Sequence, residues 1–384
     1  MQIMIDRKIT PILKHRLTQY ASVVLVGPRQ AGKTTLARSL GGHYCDLEQE
    51  SERLRLDLQF QELIQGEELL ILDEAQSWPA IFPRIRRAID ERPQSRGRFL
   101  LLGSVSPALM REVSESLAGR LSLVELSPFS VTELPAVTVQ TMWHVGGYPE
   151  GGVLEVSRYP QWQLDYLTML ALRDFPAWGL PAKPQVLQRL LKMVAAVHGQ
   201  VWNASQLGSA LGLSYHTVND YMDYLVGAFL VRRLPPYQAN IKKRLIKSPK
   251  FYWRDTGLLH AILNGPSEEE LLSSPWVGAS WEGFVIEQLL TAFSHEGIRA
   301  EPYFLRTSDR RELDLVLEIG SRLWALEIKL TSSPDVEDMV RLNRVSDLIG
   351  ADLRILVSHA AECWRDGRRV SCNLSWLLAH LEDL

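Results

Sequence analysis

Apolar positions in the first part of the chain come as short unbroken runs: ASVVLV (21–26), LLIL (69–72) and RFLLLG (98–103), separated by stretches with helical spacing. Runs of this length bounded by turn residues read as strands buried on both faces. Their alternation with helices predicts a parallel α/β construction. The rhythm then changes. QVLQRLLKMVAAV (185–197) places Leu and Val on one helical face, and the region up to 263 reads as mainly helical. ILNGPSEEELLSSPWVGAS (262–280), with Gly, Pro, Ser and an acidic run, reads as a surface connection. Beyond it, WEGFVIEQLLTAF (281–293) is an amphipathic helix. RRELDLVLEIG (310–320) and RLWALEIKL (322–330) are strands joined by a turn at Gly320-Ser321, and helices follow. The expected divisions are 1–150, 151–200, 201–263 and 264–384, with no internal repeat or low-complexity tract.

Composition narrows the function classes. The 384 residues are 46% hydrophobic and 23% charged, an ordinary globular mixture. Lys+Arg 42 against Asp+Glu 45 gives a formal charge of −3, which excludes a uniformly basic polyanion binder; any nucleic-acid surface must be local. Cys45, Cys363 and Cys372 are far apart or lack C-x-x-C spacing, so neither a disulfide framework nor a structural zinc site is expected. The first thirty residues lack an apolar run with a cleavage site, and no stretch reaches ~18 apolar residues. The expectation is a soluble cytoplasmic protein with no membrane partner.

The most informative stretch is ASVVLVGPRQAGKTTLARSL (21–40), where Gly27 to Thr34 fit G-x-x-x-x-G-K-[ST] between a strand and a helix. Gly27, Gln30, Ala31 and Gly32 let backbone N–H groups curl around a polyphosphate, and the helix presents its positive end there. Lys33 adds a charge for the β/γ-phosphates. Thr34 offers a hydroxyl to Mg²⁺, with Thr35 beside it. The alternative, a glycine turn with a surface lysine, ignores the strand–loop–helix context. The expected ligand is ATP with Mg²⁺.

LLILDEAQ (69–76) ends an apolar strand in Asp73-Glu74. At the carboxyl edge of a parallel sheet, Asp73 can hold Mg²⁺ and Glu74 can polarise the attacking water, which favours hydrolysis over mere binding. A third strand ends in Ser104, placed either to touch the γ-phosphate or to cap the next helix. Arg120 lies in SLAGRLSLVELSPFS (116–130), between a helix and the next apolar strand.

VWNASQLGSALGLSYHTVNDYMDYLVGAFLVRRL (201–234) has the rhythm of a helix-turn-helix with a wing. Ser205 is expected to cap the first helix, Gly212 to break it and Ser214 to cap the second. That second helix would present Tyr215, His216 and Asn219 to phosphates or base edges. Just beyond, Arg232, Arg233, Lys242, Lys243, Arg244, Lys247, Lys250 and Arg254 occur with no acidic residue among them. The functional reading is a wing gripping DNA, with Lys242, Lys243, Arg244 and Lys247 as its DNA-binding residues; the bland reading is a solvated basic face.

In the last third, Glu282 and Glu287 lie on a helix, Asp314 inside one strand, and Glu327 and Lys329 two apart on the next, hence on one face. Charges among apolar neighbours are expensive unless they meet each other or a metal.

Two resemblances join these segments. The order P-loop, Asp-Glu strand, polar-ended strand, arginine, helical lid resembles the AAA+ ATPases. It implies that Arg120 reaches a neighbouring subunit's γ-phosphate, with Arg173 as competitor, and hence a homo-oligomer, a ring being suspected. The helix Glu, strand Asp and E-x-K resemble the PD-(D/E)xK nuclease fold, although Leu313 stands where the namesake motif has Pro. This implies Mg²⁺ on Asp314 and Glu327, Lys329 orienting water, and Glu282 (fallback Glu287) completing the cluster. GPRQAGKTT, LDEAQ, LLGS, LAGR, GGYPE and ELDLV…LEIK together resemble one prokaryotic family that pairs an AAA+ domain with a C-terminal domain of unknown function related to those nucleases. The implied fold is a P-loop AAA+ core (1–150), helical lid (151–200), winged helix (201–263) and nuclease-like α/β domain (264–384). The implied function is an ATPase acting on DNA, branched junctions among its substrates. The alternative is a nucleotide-gated signalling or assembly switch with a catalytically silent C-terminal domain.

Overall fold

The computed structural model describes residues 5–103, 117–238, 245–265, 267–309 and 311–384. Contacts divide the chain into two compact units: Met1–Phe129 with Ala177–Leu180 and Asp223–Phe229, and Ser130–Pro176 with Pro181–Met222 and Leu230–Leu384. The boundaries expected at 150, 200 and 263 all fall inside the second unit.

The first unit runs α1 (Thr10–Gln19), β1 (Ser22–Val26), α2 (Lys33–Ser39), β2 (His43–Asp46), α3 (Glu50–Leu63), β3 (Leu70–Asp73), α4 (Ile81–Glu91), β4 (Phe99–Leu102) and β5 (Leu121–Glu125). Its strands form a sheet of order β2-β3-β4-β1-β5, every neighbour parallel. All residues of β1, β3 and β4 are buried, which explains why, apart from Ser22 and Asp73 at their ends, these strands are apolar. Period-2 alternation splits them between two cores. Val24, Val26, Leu70, Leu72, Phe99 and Leu101 pack with Phe60 of α3 and with Phe82, Ile85 and Ile89 of α4. Val23, Leu25, Ile71, Leu100 and Leu102 face the other way, toward Leu13 of α1 and Leu36 of α2. Because β4 lies between β1 and β3, the carboxyl ends of these three strands line one edge. The chain leaves β1 for the far strand β2, so a crevice opens at that edge.

The second unit begins with α5 (Val139–Val145), α6 (Gln161–Met169), α7 (Pro184–Ala196) and α8 (Ala204–Leu211). Then come α9 (Tyr215–Gly227), whose residues from Asp223 on count with the first unit, an antiparallel hairpin of β6 (Val231–Leu234) and β7 (Lys250–Trp253), α10 (Thr256–Ile262), α11 (Glu268–Ser273) and α12 (Val277–His295). The cap of α8 is not Ser205, which lies inside the helix; Asn203 accepts the Gln206 N–H at 3.1 Å. Ser214 accepts the Thr217 N–H at 3.1 Å at the start of α9, and Gly212 ends α8 with φ 69°. A bridge between Val201 and Lys250 adds a third strand position to the hairpin.

GGYPE also finds its structural meaning here. Gly147 N–H donates to Asp255 Oδ2 at 2.7 Å, and Asp255 Oδ1 caps α10 by accepting Leu258 N–H at 2.9 Å. A Cβ on Gly146 would lie 2.2 Å from the Asp255 carboxylate, and one on Gly257 would lie 2.0 Å from the Val145 carbonyl. The end of α5 and the start of α10 therefore interlock at a distance only glycine permits.

The rest is a six-stranded sheet: β8 (Ala300–Arg306), β9 (Glu312–Ile319), β10 (Arg322–Ile328), β11 (Leu353–Ser358), β12 (Trp364–Asp366) and β13 (Arg369–Asn373), in order β12-β13-β11-β10-β9-β8. β8, β9 and β10 are antiparallel, while β10, β11 and β13 are parallel. Leu342 and Val345 of α13 (Val336–Ile349) pack on Leu313, Val316, Ala325 and Leu356 of the sheet. Among the described residues no helix is long and apolar enough to cross a membrane.

Candidate functional site

Between β1 and α2 the backbone bends through positions that disfavour ordinary side chains: Gly27 at φ 148°, Gln30 at φ 61° and Gly32 at φ 97°. A Cβ on Gly27 would sit 2.1 Å from the Leu126 carbonyl oxygen, so the first position of the motif must be glycine. Arg7 fastens the loop from outside. Its guanidinium donates to Ala31 O at 2.9 Å, Ser127 O at 2.7 Å and Pro128 O at 3.3 Å, and stacks over Phe129.

Lys33 is buried, and its ammonium donates back to the loop carbonyls Gly27 O at 2.9 Å and Pro28 O at 2.8 Å. Burial lowers its pKa to about 8, opposed by the charges of Glu74 and Asp73. One oxygen of Asp73 accepts both the Thr34 hydroxyl, at 2.7 Å, and the Tyr44 hydroxyl, at 2.8 Å. The other accepts the Glu74 N–H at 2.9 Å. Arg38 lies 4.0 Å over the Tyr44 ring. Glu74 adopts φ 49°, a left-handed conformation that is strained for a non-glycine residue. Gln76 holds one of its oxygens, and Arg29 stands 4.0 Å from the other. Burial raises the Glu74 pKa, against Arg29 and Lys33.

Lys33, Thr34, Asp73 and Glu74 thus converge at the carboxyl edge of the sheet. Thr34 and Asp73 already share a hydrogen bond, a donor pair that suits Mg²⁺ with a polyphosphate. Gln30 and Thr35 are exposed on the same loop and helix start, and Ala31 is buried. Sequence reasoning missed Arg7 and Tyr44. No motif marks either one; Tyr44 emerges only from the β2–β3 pairing, which sets Asp46 beside Asp73. Ser104 lies outside the described residues. Arg120 pairs with Asp90 of α4 through two contacts, at 2.7 and 3.2 Å. Arg173 is largely exposed, with Asp174 at 4.0 Å.

In the second unit, Glu282, Asp314, Glu327 and Lys329 come together, as the E-x-K pattern anticipates. Asp314 Oδ2 accepts the Ile328 N–H at 2.8 Å, and Lys329 pairs with Glu327 at 2.5 Å. Burial, and next the Asp314 charge, raise both Glu282 and Glu327 to about 7. Glu287 does not belong to this group; Arg232 holds it, and Arg254 at 3.0 Å. Lys250 adds a residue that sequence reasoning had placed in the DNA-binding run. It is 3% exposed, 3.2 Å from Glu282 and 2.7 Å from Glu312, and the Tyr252 hydroxyl also donates to Glu282. Among the described residues no three His, Cys, Asp or Glu side chains are disposed to hold a metal ion.

The DNA-directed residues are dispersed. Tyr215 and His216 are exposed with ring centroids 3.9 Å apart, and Lys247 is exposed. Asn219 spends its carbonyl on Trp202 Nε1 at 2.9 Å. Lys242, Lys243 and Arg244 lie outside the described residues.

Comparison with known proteins agrees with the division of the chain. Residues 19–135 match the family described as AAA domain. Residues 136–269 and 277–376 match two domains of unknown function, DUF8612 and DUF4143. The chain is 39% identical over 334 residues to "Uncharacterized protein Rv2008c" of Mycobacterium tuberculosis, covering 86% of this chain and 75% of that protein. "Uncharacterized protein Mb2031c" of Mycobacterium bovis matches with the same identity and coverage. Among solved structures, AMPPCP-bound DnaA from Aquifex aeolicus aligns at 12% identity and TM-score 0.28, over 56% of this chain and 86% of that one. The chain belongs to the family of the mycobacterial proteins Rv2008c and Mb2031c, and its first unit is built on an AAA domain.

Proposed function

We propose that this chain is an AAA+ ATPase that binds and hydrolyses Mg-ATP and acts on DNA. The observation that carries the ATPase reading is the convergence of Lys33, Thr34, Asp73 and Glu74 at one sheet edge. Lys33 would exchange its two loop carbonyls for β/γ-phosphate oxygens, and the amides of 30–34 would wrap the tail. Thr34 and Asp73 would hold Mg²⁺, which when bound neutralises phosphate charge. Glu74, its pKa raised by burial, would accept a proton from the attacking water. Arg120 would leave Asp90 to stabilise charge in a neighbouring subunit's site, a role that requires a homo-oligomer. Lys33→Ala should abolish nucleotide binding, and Glu74→Gln should keep binding while turnover falls by about 10² or more. Tight Mg-ATP binding by the first variant, or normal turnover by the second, refutes the assignment.

The DNA part rests on the order of elements α7, α8, α9 and the β6–β7 hairpin, which is that of a winged helix, and on exposed Tyr215, His216 and Lys247. ATP turnover measured with duplex, single-stranded and junction DNA across a salt series tests it; stimulation should fall steeply with salt. A second reading has its own support. Lys250, bound among the C-terminal carboxylates, favours a nucleotide-gated switch whose C-terminal domain is silent in catalysis. Turnover indifferent to every DNA but changed by a protein partner would select it.

A further inference from the structure

We infer that Lys250 is the resident cation of the C-terminal carboxylate cluster, and that the cluster takes no divalent metal while Lys250 is in place. The nuclease resemblance implies Mg²⁺ on Asp314 and Glu327 with Glu282 beside them, so the donor set must be tested for fit.

It does not fit. Lys250 Nζ lies 3.2 Å from Glu282 and 2.7 Å from Glu312, buried to 3% exposure. The Tyr252 hydroxyl takes the same Glu282 oxygen. One oxygen of Asp314 is committed to the Ile328 amide at 2.8 Å, and Glu327 faces Lys329 at 2.5 Å. Arg306 adds a further cation, 3.5 Å from Glu312. Four carboxylates thus face three side-chain cations, which even when all four are ionised leaves only about one unit of negative charge for a metal that brings two positive ones. A divalent ion at Glu282 would also sit within a few ångströms of a buried ammonium, where repulsion is weakly screened.

The backbone that carries Lys250 is pinned, and its ammonium is buried among its partners. Lys250 opens β7, pairs with Leu234 across the hairpin, and bridges Val201. Admitting a metal beside Glu282 would require the ammonium to give up its contacts with Glu282 and Glu312, or Lys250 to be replaced. The ammonium therefore ties the β6–β7 hairpin to α12 and β9, in a place where a nuclease would keep a catalytic ion. This inference does not depend on the ATPase reading.

The test uses the full chain without nucleotide, with Mn²⁺ as probe, read by calorimetry and by the unfolding temperature. The wild type and Asp314→Asn should respond identically to Mn²⁺. Lys250→Met should unfold at lower temperature, because Glu282 loses its counter-charge. It should gain Mn²⁺ binding tighter by about tenfold or more, as removal of one competing charge requires. That gain should raise its unfolding temperature and vanish in Lys250→Met/Asp314→Asn. Mn²⁺ binding by the wild type that Asp314→Asn abolishes overturns the inference, as does a folded Lys250→Met indifferent to Mn²⁺. Should Lys250→Met not fold, the comparison of wild type with Asp314→Asn decides alone.

Discussion

The interlock at Asp255 makes a quantitative claim about pH. The carboxylate is 7% exposed and accepts N–H groups from Gly147 and Leu258 at 2.7 and 2.9 Å. Burial outweighs these amides and raises its pKa from 3.8 to about 6. A carboxyl whose folded pKa exceeds its unfolded value binds a proton in the native state that the unfolded chain has already released. Stability from this group is therefore present at low pH and is lost as pH rises through about 6. The shift of about two pKa units corresponds to about 3 kcal/mol in the limit, of which ~1.4 kcal/mol falls between pH 5 and pH 8. Asp255→Asn removes the titration while keeping the shape. Its amide nitrogen would face the Gly147 or Leu258 donor, so the variant should be less stable at pH 5 by about 1–3 kcal/mol. The diagnostic quantity is the gap between wild type and variant, which should shrink by ~1.4 kcal/mol from pH 5 to pH 8. Urea unfolding at the two pH values, followed by tryptophan fluorescence, measures it, and titrations common to both chains cancel. A gap independent of pH, or one that widens toward pH 8, would mean that the amides hold the carboxylate charged, and the reasoning would fail.

Three further substitutions probe the two units. Gly27→Ala places a Cβ 2.1 Å from the Leu126 carbonyl at φ 148°, so it should eliminate nucleotide binding and destabilise the first unit by about 1–3 kcal/mol; calorimetry with ATP and a thermal melt check both effects. Arg7→Ala strands the Ala31, Ser127 and Pro128 carbonyls and should destabilise by about 3 kcal/mol in urea, with Arg7→Lys restoring only part because it lacks the planar fork. Glu287→Gln leaves Arg232 and Arg254 facing a neutral amide and should cost about 3–5 kcal/mol. Although burial alone would raise the Glu287 carboxyl, the two arginines lower it, so its stabilisation is present above the ordinary carboxylate range and lost as pH falls below it; the wild-type advantage over Glu287→Gln should fade in acid unfolding curves.

The first unit was legible because each of its devices is local. Four-residue strands such as Phe99–Leu102 are apolar throughout since both faces are covered, and the P-loop declares itself through Gly27, Gly32 and Lys33. The E-x-K strand was legible for the same reason, since Glu327 and Lys329 share a face by strand periodicity alone. What sequence did not carry was anything that depends on distant partners. Arg7 meets the loop across more than a hundred residues of chain at Ser127, and Tyr44 reaches Asp73 from a neighbouring strand. GGYPE is opaque until Asp255 is seen capping α10 against it. Ser205 was the wrong cap because both Asn203 and Ser205 are capping residue types, and only backbone geometry separates them.

The distribution of charge was the least legible feature, for a physical reason. A run of basic residues without acids, and a group of carboxylates among apolar residues, looked like two functional surfaces: a grip for DNA and a cradle for metal. Much of each is the partner of the other. Arg232 and Arg254 neutralise Glu287, and Lys250 neutralises Glu282 and Glu312. Linear charge counting treats every lysine and arginine as solvated, yet Lys250 is buried, Arg232 and Arg254 are half-buried, and each faces a carboxylate from elsewhere in the chain. A buried cation is tolerated only with such a partner, so the apolar setting of Glu282 and Glu287 already required one, and the nearby basic run supplied it. Outside this pairing, Lys247, Tyr215 and His216 remain exposed and are the described residues on which the proposed DNA reading rests. On the proposed DNA reading, substituting Lys247 should weaken DNA binding without altering stability, whereas substituting Arg232 or Lys250 should lower stability and leave that binding unchanged.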